Sequence, residues 1–300
     1  APAYLERCEA EGFPTHLCGY ARNCLGYTAT MKELGGIPPA APAGGMAKPT
    51  LLLASGGLCD SRFKWFQALG RYWDAPIWTL EIPHPGVKEH FMEGAYEHNI
   101  RFMVAELRKF IAFLENLLGK KMDWDKLDEI TNDLIEINRV WYEINELRKT
   151  RPCPMHSRDF WSCMNVSLFS LGDYSVALDL YRQLYDEIKY RVDNKIGAVA
   201  EEKYRLVFAE LPPWHTLWFF NQLAERGWNF VIESWSYHPP RPQDLSKVSD
   251  PLERIARFCL QFFTGYHRGA MDNKEWWGYA AYPYFEYARD YQCDGAILHP

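Results

Sequence analysis

The sequence has no apolar run approaching the ~18–20 residues that a membrane-spanning helix needs. Its first residues, Ala1-Pro-Ala-Tyr-Leu-Glu-Arg-Cys8, show no charged segment followed by an apolar one, as a secretory signal would require. There is no excess of basic residues: 33 Lys and Arg stand against 39 Asp and Glu, for a net charge of −6 and a pI near 5.9. Nucleic acid and anionic membrane surfaces are therefore not indicated as partners. No CxxC pair occurs, which argues against zinc ribbons and thioredoxin-like redox sites. Eight cysteines in 300 residues are too sparse for a disulfide scaffold. Neither GxGxxG nor GxxxxGK[ST] is present, so the chain carries no sign of binding a dinucleotide or ATP through those loops. No repeat of 20–50 residues with a shared motif is found. These absences lead us to expect a soluble, cytoplasmic protein.

What the chain has in quantity is aromatic surface: 12 Trp, 18 Tyr and 17 Phe. Such content implies broad buried faces, and either a large partner interface or an aromatic-walled pocket. An apolar fraction of 48% can build real cores, and the length suggests about two domains.

Along the chain, a Pro/Gly/Ala-rich linker, Gly35 to Gly45, should be a surface loop. Thr50-Leu-Leu-Leu-Ala54 then reads as a strand that ends in Ser55-Gly-Gly57 and leads to Cys59-Asp60. Residues 61–73 read as a helix with Phe63, Phe66 and Leu69 on one face, and Ile77 to Ile82 as a second strand. That order suggests a parallel α/β sheet. Residues 88–150 are strongly helical. Leu127, Ile130, Leu134, Ile137, Trp141 and Ile144 recur at alternating steps of three and four, one apolar stripe, with Asp123 or Asp125 as its cap. A helical layer packed on a sheet suits this length better than a coiled-coil rod. Residues 152–172 are loop-like at first, and 173–202 are helical. A second strand–loop–helix–strand unit follows: Tyr204 to Phe208, the loop Leu211-Pro-Pro-Trp214, a helix over 216–226, and Asn229 to Glu233. Asp294-Gly-Ala-Ile-Leu298 reads as one more strand. We therefore expect an α/β fold of two Rossmann-like parallel-sheet domains with an intervening helical segment. The expected divisions are 1–87, 88–202 and 203–300. The missing initiating Met, and a strand with no helix after it, lead us to expect an incomplete or processed chain.

Among the cysteines, Cys59 follows a strand and a Ser-Gly-Gly turn and precedes a helix. Ligands gather at the carboxyl ends of strands in open α/β sheets. A thiol at a helix N-terminus ionises more readily, because the dipole favours the anion. A metal-ligating thiolate and a buried structural cysteine both fit this context. Cys18, between Pro14 and Gly19, allows the same two readings. Cys24 is six residues further on, well away from the helix face of Cys18, so the two should not share a metal.

The ordered strings Leu17-Cys-Gly-Tyr-Ala-Arg-Asn-Cys-Leu-Gly26, Gly57-Leu-Cys-Asp60 with Lys64-Trp-Phe66, Pro154-Met-His-Ser-Arg-Asp159, Leu211-Pro-Pro-Trp214 and Asp294-Gly-Ala-Ile resemble the signature of the 2-hydroxyacyl-CoA dehydratase and benzoyl-CoA reductase family. The resemblance runs over essentially the whole chain. Asn23-Cys24 and the Leu211 to His215 stretch resemble the reductase subunits more than the dehydratases.

This resemblance implies one [4Fe–4S] cluster per large subunit, held by three cysteines, of which Cys18 and Cys59 match two. The third would follow the strand resembling Asp294 to Leu298, beyond residue 300; Cys293, which precedes that strand, is the alternative. Cys24 matches a position that is not a ligand. The resemblance further implies a heterodimer of homologous large subunits. It also implies an ATP-hydrolysing iron–sulfur activator, with ATP used by that partner and not by this chain. The substrate would be an acyl-CoA, reduced by one electron to a ketyl-type radical anion. Dehydratases then eliminate water and return the electron; reductases add a second electron and protons, giving a cyclic dienoyl-CoA. We expect the reductase, with the dehydratase as its alternative; a non-catalytic electron-transfer or cluster-carrying protein, and a subunit without a cluster, are the remaining readings. Arg22 then faces the cluster or a carbonyl, or forms an ordinary ion pair. His215 is a proton donor or an exposed capping histidine. Tyr266-His267-Arg268 contacts CoA phosphates or is a solvated loop. Glu275-Trp-Trp-Gly278 lines a pocket or an interface, or belongs to the core.

Overall fold

The computed structural model describes residues 2–56, 61–83, 92–169, 173–209, 211–233, 241–272 and 282–298, with backbone alone for 165, 167–169, 262–272 and 282–284. The chain forms two compact units, Ala1–Pro85 with Tyr96–Lys121, and Gly86–Ala95 with Met122–Pro300. No helix among the described residues is long and apolar enough to cross a membrane.

The first unit pairs helices α1 (Pro2–Ala10) and α2 (Gly19–Leu34) and adds strand β1 (Leu52–Ser55), helix α3 (Ser61–Trp73), strand β2 (Ile77–Leu80) and helix α4 (Ala95–Leu118). β1 and β2 are parallel, joined through α3 as the strand–helix–strand pattern predicts. Gly26 is where α1 and α2 come closest. A Cβ there would stand 1.7 Å from the Tyr4 carbonyl oxygen, so only glycine permits this approach. Gly35 ends α2 in the left-handed region (φ 67°), its N–H donating to the Met31 carbonyl. The core below contains Cys8, Leu25, Leu52 and Leu69. Leu17, Cys24, Trp65 and Phe66 pack against it.

The second unit is built on helices α5 (Trp124–Leu147), α6 (Ser157–Phe169) and α7 (Tyr174–Asp193). Strand β3 (Tyr204–Ala209), the short helix α8 (Phe219–Ala224) and strand β4 (Trp228–Ile232) follow, then helices α9 (Pro251–Asp272) and α10 (Tyr282–Asp290) and strand β5 (Gly295–Leu298). The sheet order is β4-β3-β5, all parallel. β3 and β4 are continuously buried after their first residue, as strands covered on both faces must be. Asp123 caps α5, its carboxylate accepting the Lys126 N–H at 2.9 Å. The expected stripe is fully buried at Ile137, Trp141 and Ile144 and half-buried at Leu127, Ile130 and Leu134.

The architecture is thus mixed α/β, with one two-stranded and one three-stranded parallel sheet among the described residues. Two elements differ from the sequence reading. Residues 152–156 are loop as expected, but a full helix, α6, begins at Ser157. The helix expected over 216–226 is instead a 3-10 turn, Trp214–Thr216, followed by the six-residue α8. Pro212 and Pro213 supply no backbone N–H, and Gly227 ends the segment at φ 82°.

Across the three-stranded sheet, polar groups are buried in pairs. Arg148 and Glu233 are both fully buried and form a two-pronged ion pair. One guanidinium nitrogen lies 2.7 Å from the carboxylate and also donates to Asn145 Oδ1 at 2.8 Å. The Ser157 hydroxyl also reaches the Glu233 carboxylate and lies 3.0 Å from the Phe230 carbonyl. Near the strands' amino ends, the Arg205 guanidinium donates to the Thr150 carbonyl (3.1 Å), the Tyr291 carbonyl (2.8 Å) and the Glu202 carboxylate (2.6 Å). It thereby satisfies the Thr150 carbonyl, in the turn that follows α5. We expect Glu233→Ala, which leaves a buried cation unpaired, to lower stability by about 3–5 kcal/mol. Glu233→Gln, which keeps the side chain's size and one accepting oxygen, should cost less. Urea unfolding measures both, and an alanine variant within ~1 kcal/mol of the wild type would refute the locking role of the pair.

Candidate functional site

The first candidate site is the entry to α2. Cys18 is the N-cap residue of this 16-residue helix and makes no side-chain capping hydrogen bond. Ser, Thr, Asp and Asn are the residues that stabilise this position. A cysteine here contributes no such bond, and among the described cysteines Cys18 is the one classed as exposed. The others are packed. Burial raises the thiols of Cys8 and Cys24, the latter opposed by the neighbouring Trp65. It pushes Cys153, Cys163 and Cys259 up to about 11. Cys293 is pushed up to about 12, chiefly by burial, against a cluster that includes Cys153, Val207, Val231 and Tyr291. Of these thiols, Cys18 alone is presented to solvent at a helix start.

Arg22 holds that start in place. It pairs with Glu9 of α1 and donates to the Thr15 carbonyl at 3.0 Å, tying the loop before Cys18 to both helices. Its ion-pair role is therefore visible in the structure. Cys59 lies outside the described residues. Around it, β1 ends at Ser55, whose hydroxyl accepts from Arg62 at 3.0 Å, and α3 begins at Ser61. Leu17 and Cys24, which flank Cys18, pack in one cluster with Trp65 and Phe66 of α3. Among the described residues, no group of three or more His, Cys, Asp or Glu is arranged to hold a metal ion. Cys18 by itself suits a cluster ligand: an accessible sulfur with no competing capping bond.

His215 and Cys293 belong to the second unit, Cys18 and Arg22 to the first. His215 is exposed in the 3-10 turn after β3. Tyr266-His267-Arg268 lies where side chains are not described, and Glu275 to Gly278 lies outside the described residues.

His156, inside one of the family-like strings, was not singled out from the sequence. It is buried and stands immediately before α6, with its ring edge-to-face on Phe220 at 5.9 Å. The Arg158 N–H donates to Nδ1 at 3.3 Å, which places the proton of the neutral ring on Nε2, and Nε2 has no hydrogen-bond partner among the described residues. Burial pulls the imidazole down to about 4; Asp159 opposes the shift, and Arg148 and Arg158 add to it. The sequence offers only a histidine between Met155 and Ser157, in a segment that reads as a loop, a setting many surface histidines share.

The family described as 2-hydroxyglutaryl-CoA dehydratase, D-component, matches residues 1–300, and the chain belongs to it. Among curated relatives, the chain is similar to the (R)-phenyllactyl-CoA dehydratase alpha subunit of Clostridium sporogenes. The two are 27% identical over 227 residues, 75% of this chain and 52% of the relative. It is also similar to the (R)-2-hydroxyisocaproyl-CoA dehydratase alpha subunit of Clostridioides difficile, 27% identical over 76% of this chain and 54% of the relative. With the (R)-2-hydroxyglutaryl-CoA dehydratase subunit alpha of Acidaminococcus fermentans, identity is 22% over 62% of this chain and 38% of the relative. The chain spans about half the length, or less, of these relatives.

Two outcomes test this geometry. Cys18→Ser should keep the fold, with stability equal or raised by about 0.5–1 kcal/mol from the better cap, and, if Cys18 is the cluster ligand that the resemblance implies, should sharply lower the iron bound by the full-length protein. Cys24→Ala should retain the iron. Iron kept without Cys18, or lost without Cys24, would overturn the ligand assignment. For His156, the folded value near 4 lies below the ordinary 6.5. The unfolded chain therefore takes up a proton first, and stability present above pH 6.5 is lost as pH falls toward 4. By pH 5 this amounts to about 2 kcal/mol. Urea midpoints compared at pH 7.5 and 5 should show that slope reduced in His156→Phe; an unchanged slope would contradict a neutral buried ring.

Proposed function

We propose that this chain is part of an iron–sulfur subunit of a 2-hydroxyacyl-CoA dehydratase, acting with a homologous large subunit and an ATP-hydrolysing activator in the cytoplasm. The observation that carries the reading is the exposed Cys18 at a helix start, in a chain that matches the dehydratase family along its full length. Cys18 and Cys59 would hold a [4Fe–4S] cluster, with the third ligand from beyond residue 300 or, less suited by its packing, Cys293. The cluster, when bound, supplies low-potential one-electron chemistry to an acyl-CoA thioester. This chain's own residues present the thiols, with Arg22 fixing the loop that carries Cys18. The two parallel sheets are read as the cores of Rossmann-like domains.

The family relation corrects the weight given above to the reductase. The relatives named here are dehydratases, so elimination of water becomes the leading outcome. Reduction of an aromatic acyl-CoA stays as the second reading, favoured by Asn23-Cys24 and by the Leu211 to His215 stretch.

The test is an anaerobic assay of the full-length protein with partner and activator. We expect close to four iron and four sulfide per large subunit. A 2-hydroxyacyl-CoA should be dehydrated with only catalytic reductant. Stoichiometric consumption of reductant with benzoyl-CoA, giving a cyclic diene, would replace the dehydratase reading with the reductase. Absence of iron in the folded, oxygen-protected complex would overturn both.

A further inference from the structure

The segment that joins α1 to α2 and ends at Cys18 is tied down along its length. Phe13 and Leu17 pack against the core of the first unit. Glu11 accepts from the Tyr72 hydroxyl at 2.8 Å and pairs with Arg7 at 2.7 Å. The Leu17 N–H donates to the Pro14 carbonyl at 3.1 Å. Between these anchors, the Thr15 carbonyl is held by Arg22, at 3.0 Å.

Glu9 is what aims Arg22 at that carbonyl. A second nitrogen of the same guanidinium pairs with the Glu9 carboxylate. The guanidinium is a rigid planar fork, so fixing one prong directs the other. Glu9 in turn is fixed, because Gly26 brings α2 against the backbone of α1. Arg22 sits one helical turn after Cys18, its N–H donating to the Cys18 carbonyl at 3.0 Å. The backbone is thus clamped on both sides of Cys18, whose residue is exposed.

We propose that Glu9, acting through Arg22, is a positioning residue for Cys18: the Glu9–Arg22–Thr15 clamp holds the thiol where it captures and retains the cluster. This rests on the reading that Cys18 is a cluster ligand. Contacts that orient a ligand strengthen its hold on a metal. The first test is hydrogen exchange, read by mass spectrometry over residues 11–19 of the full-length protein without iron. Glu9 is an exposed helical residue, so Glu9→Ala keeps α1. It should speed exchange in the segment about 5- to 30-fold. Arg22→Lys, which keeps the charge but gives up the fork, should do the same. Glu9→Gln, which retains one accepting oxygen, should fall between. In the anaerobic full-length complex, Glu9→Ala and Arg22→Lys should release iron to a chelator about 10- to 100-fold faster and alter the electron paramagnetic resonance signal of the reduced cluster. Unchanged exchange overturns the clamp, and wild-type behaviour of Arg22→Lys overturns the role of the fork. Faster exchange with unaltered iron release and signal overturns the positioning role, leaving a structural contact. If the wild-type complex holds no iron, the cluster reading falls and this role with it.

Discussion

The buried pair of Arg148 and Glu233 joins three elements that are far apart in sequence: the end of α5, the start of α6 and the residue after β4. Two charges removed from water are costly unless each is matched. Here the carboxylate also meets Ser157, and the guanidinium meets Asn145 and lies over the Phe160 ring at 5.0 Å. Because breaking the pair would strand a charge, α5, α6 and β4 must keep this mutual placement. The start of α6, with His156, is thereby fixed beside Phe220 of α8.

The first unit reaches comparable definition by close packing. Gly26 lets the backbone of α1 lie against α2, and the Arg22–Glu9 pair ties the loop between the helices. What these contacts hold is an exposed cysteine where a capping residue would have been more stabilising. A position that forgoes local stability, inside an otherwise consistent element, is where function is expected. The packing of Cys293 points the opposite way, since a partly buried thiol set against apolar neighbours, its pKa pushed up to about 12 chiefly by burial, is poorly disposed to lose its proton to a metal.

In the second unit, the aromatic content divides by environment. Phe208, Phe220 and Phe230 meet edge-on in the interior, with ring centroids 5.0 to 5.6 Å apart. Trp214 and Trp218 remain at the surface on the segment that follows β3. The same residue class thus builds the core that sets the sheet and supplies apolar rings to its surface.

The sequence by itself determined the strands, the apolar stripe of α5, a cap at Asp123 or Asp125 and the ordered cysteine strings, because alternation, helical spacing and turn residues are local signals. It left α6 unread, since Pro152 and Pro154 obscure a helix that depends on Ser157 and Phe160 being buried against β4. It divided Thr216 to Arg226 wrongly, because the extent of that helix is limited by how the segment leaves β3 and returns to β4. It could not separate Cys18 from the packed cysteines, nor single out His156. Burial, charge pairing and the availability of a hydrogen-bond partner belong to neighbours that only the tertiary structure brings together.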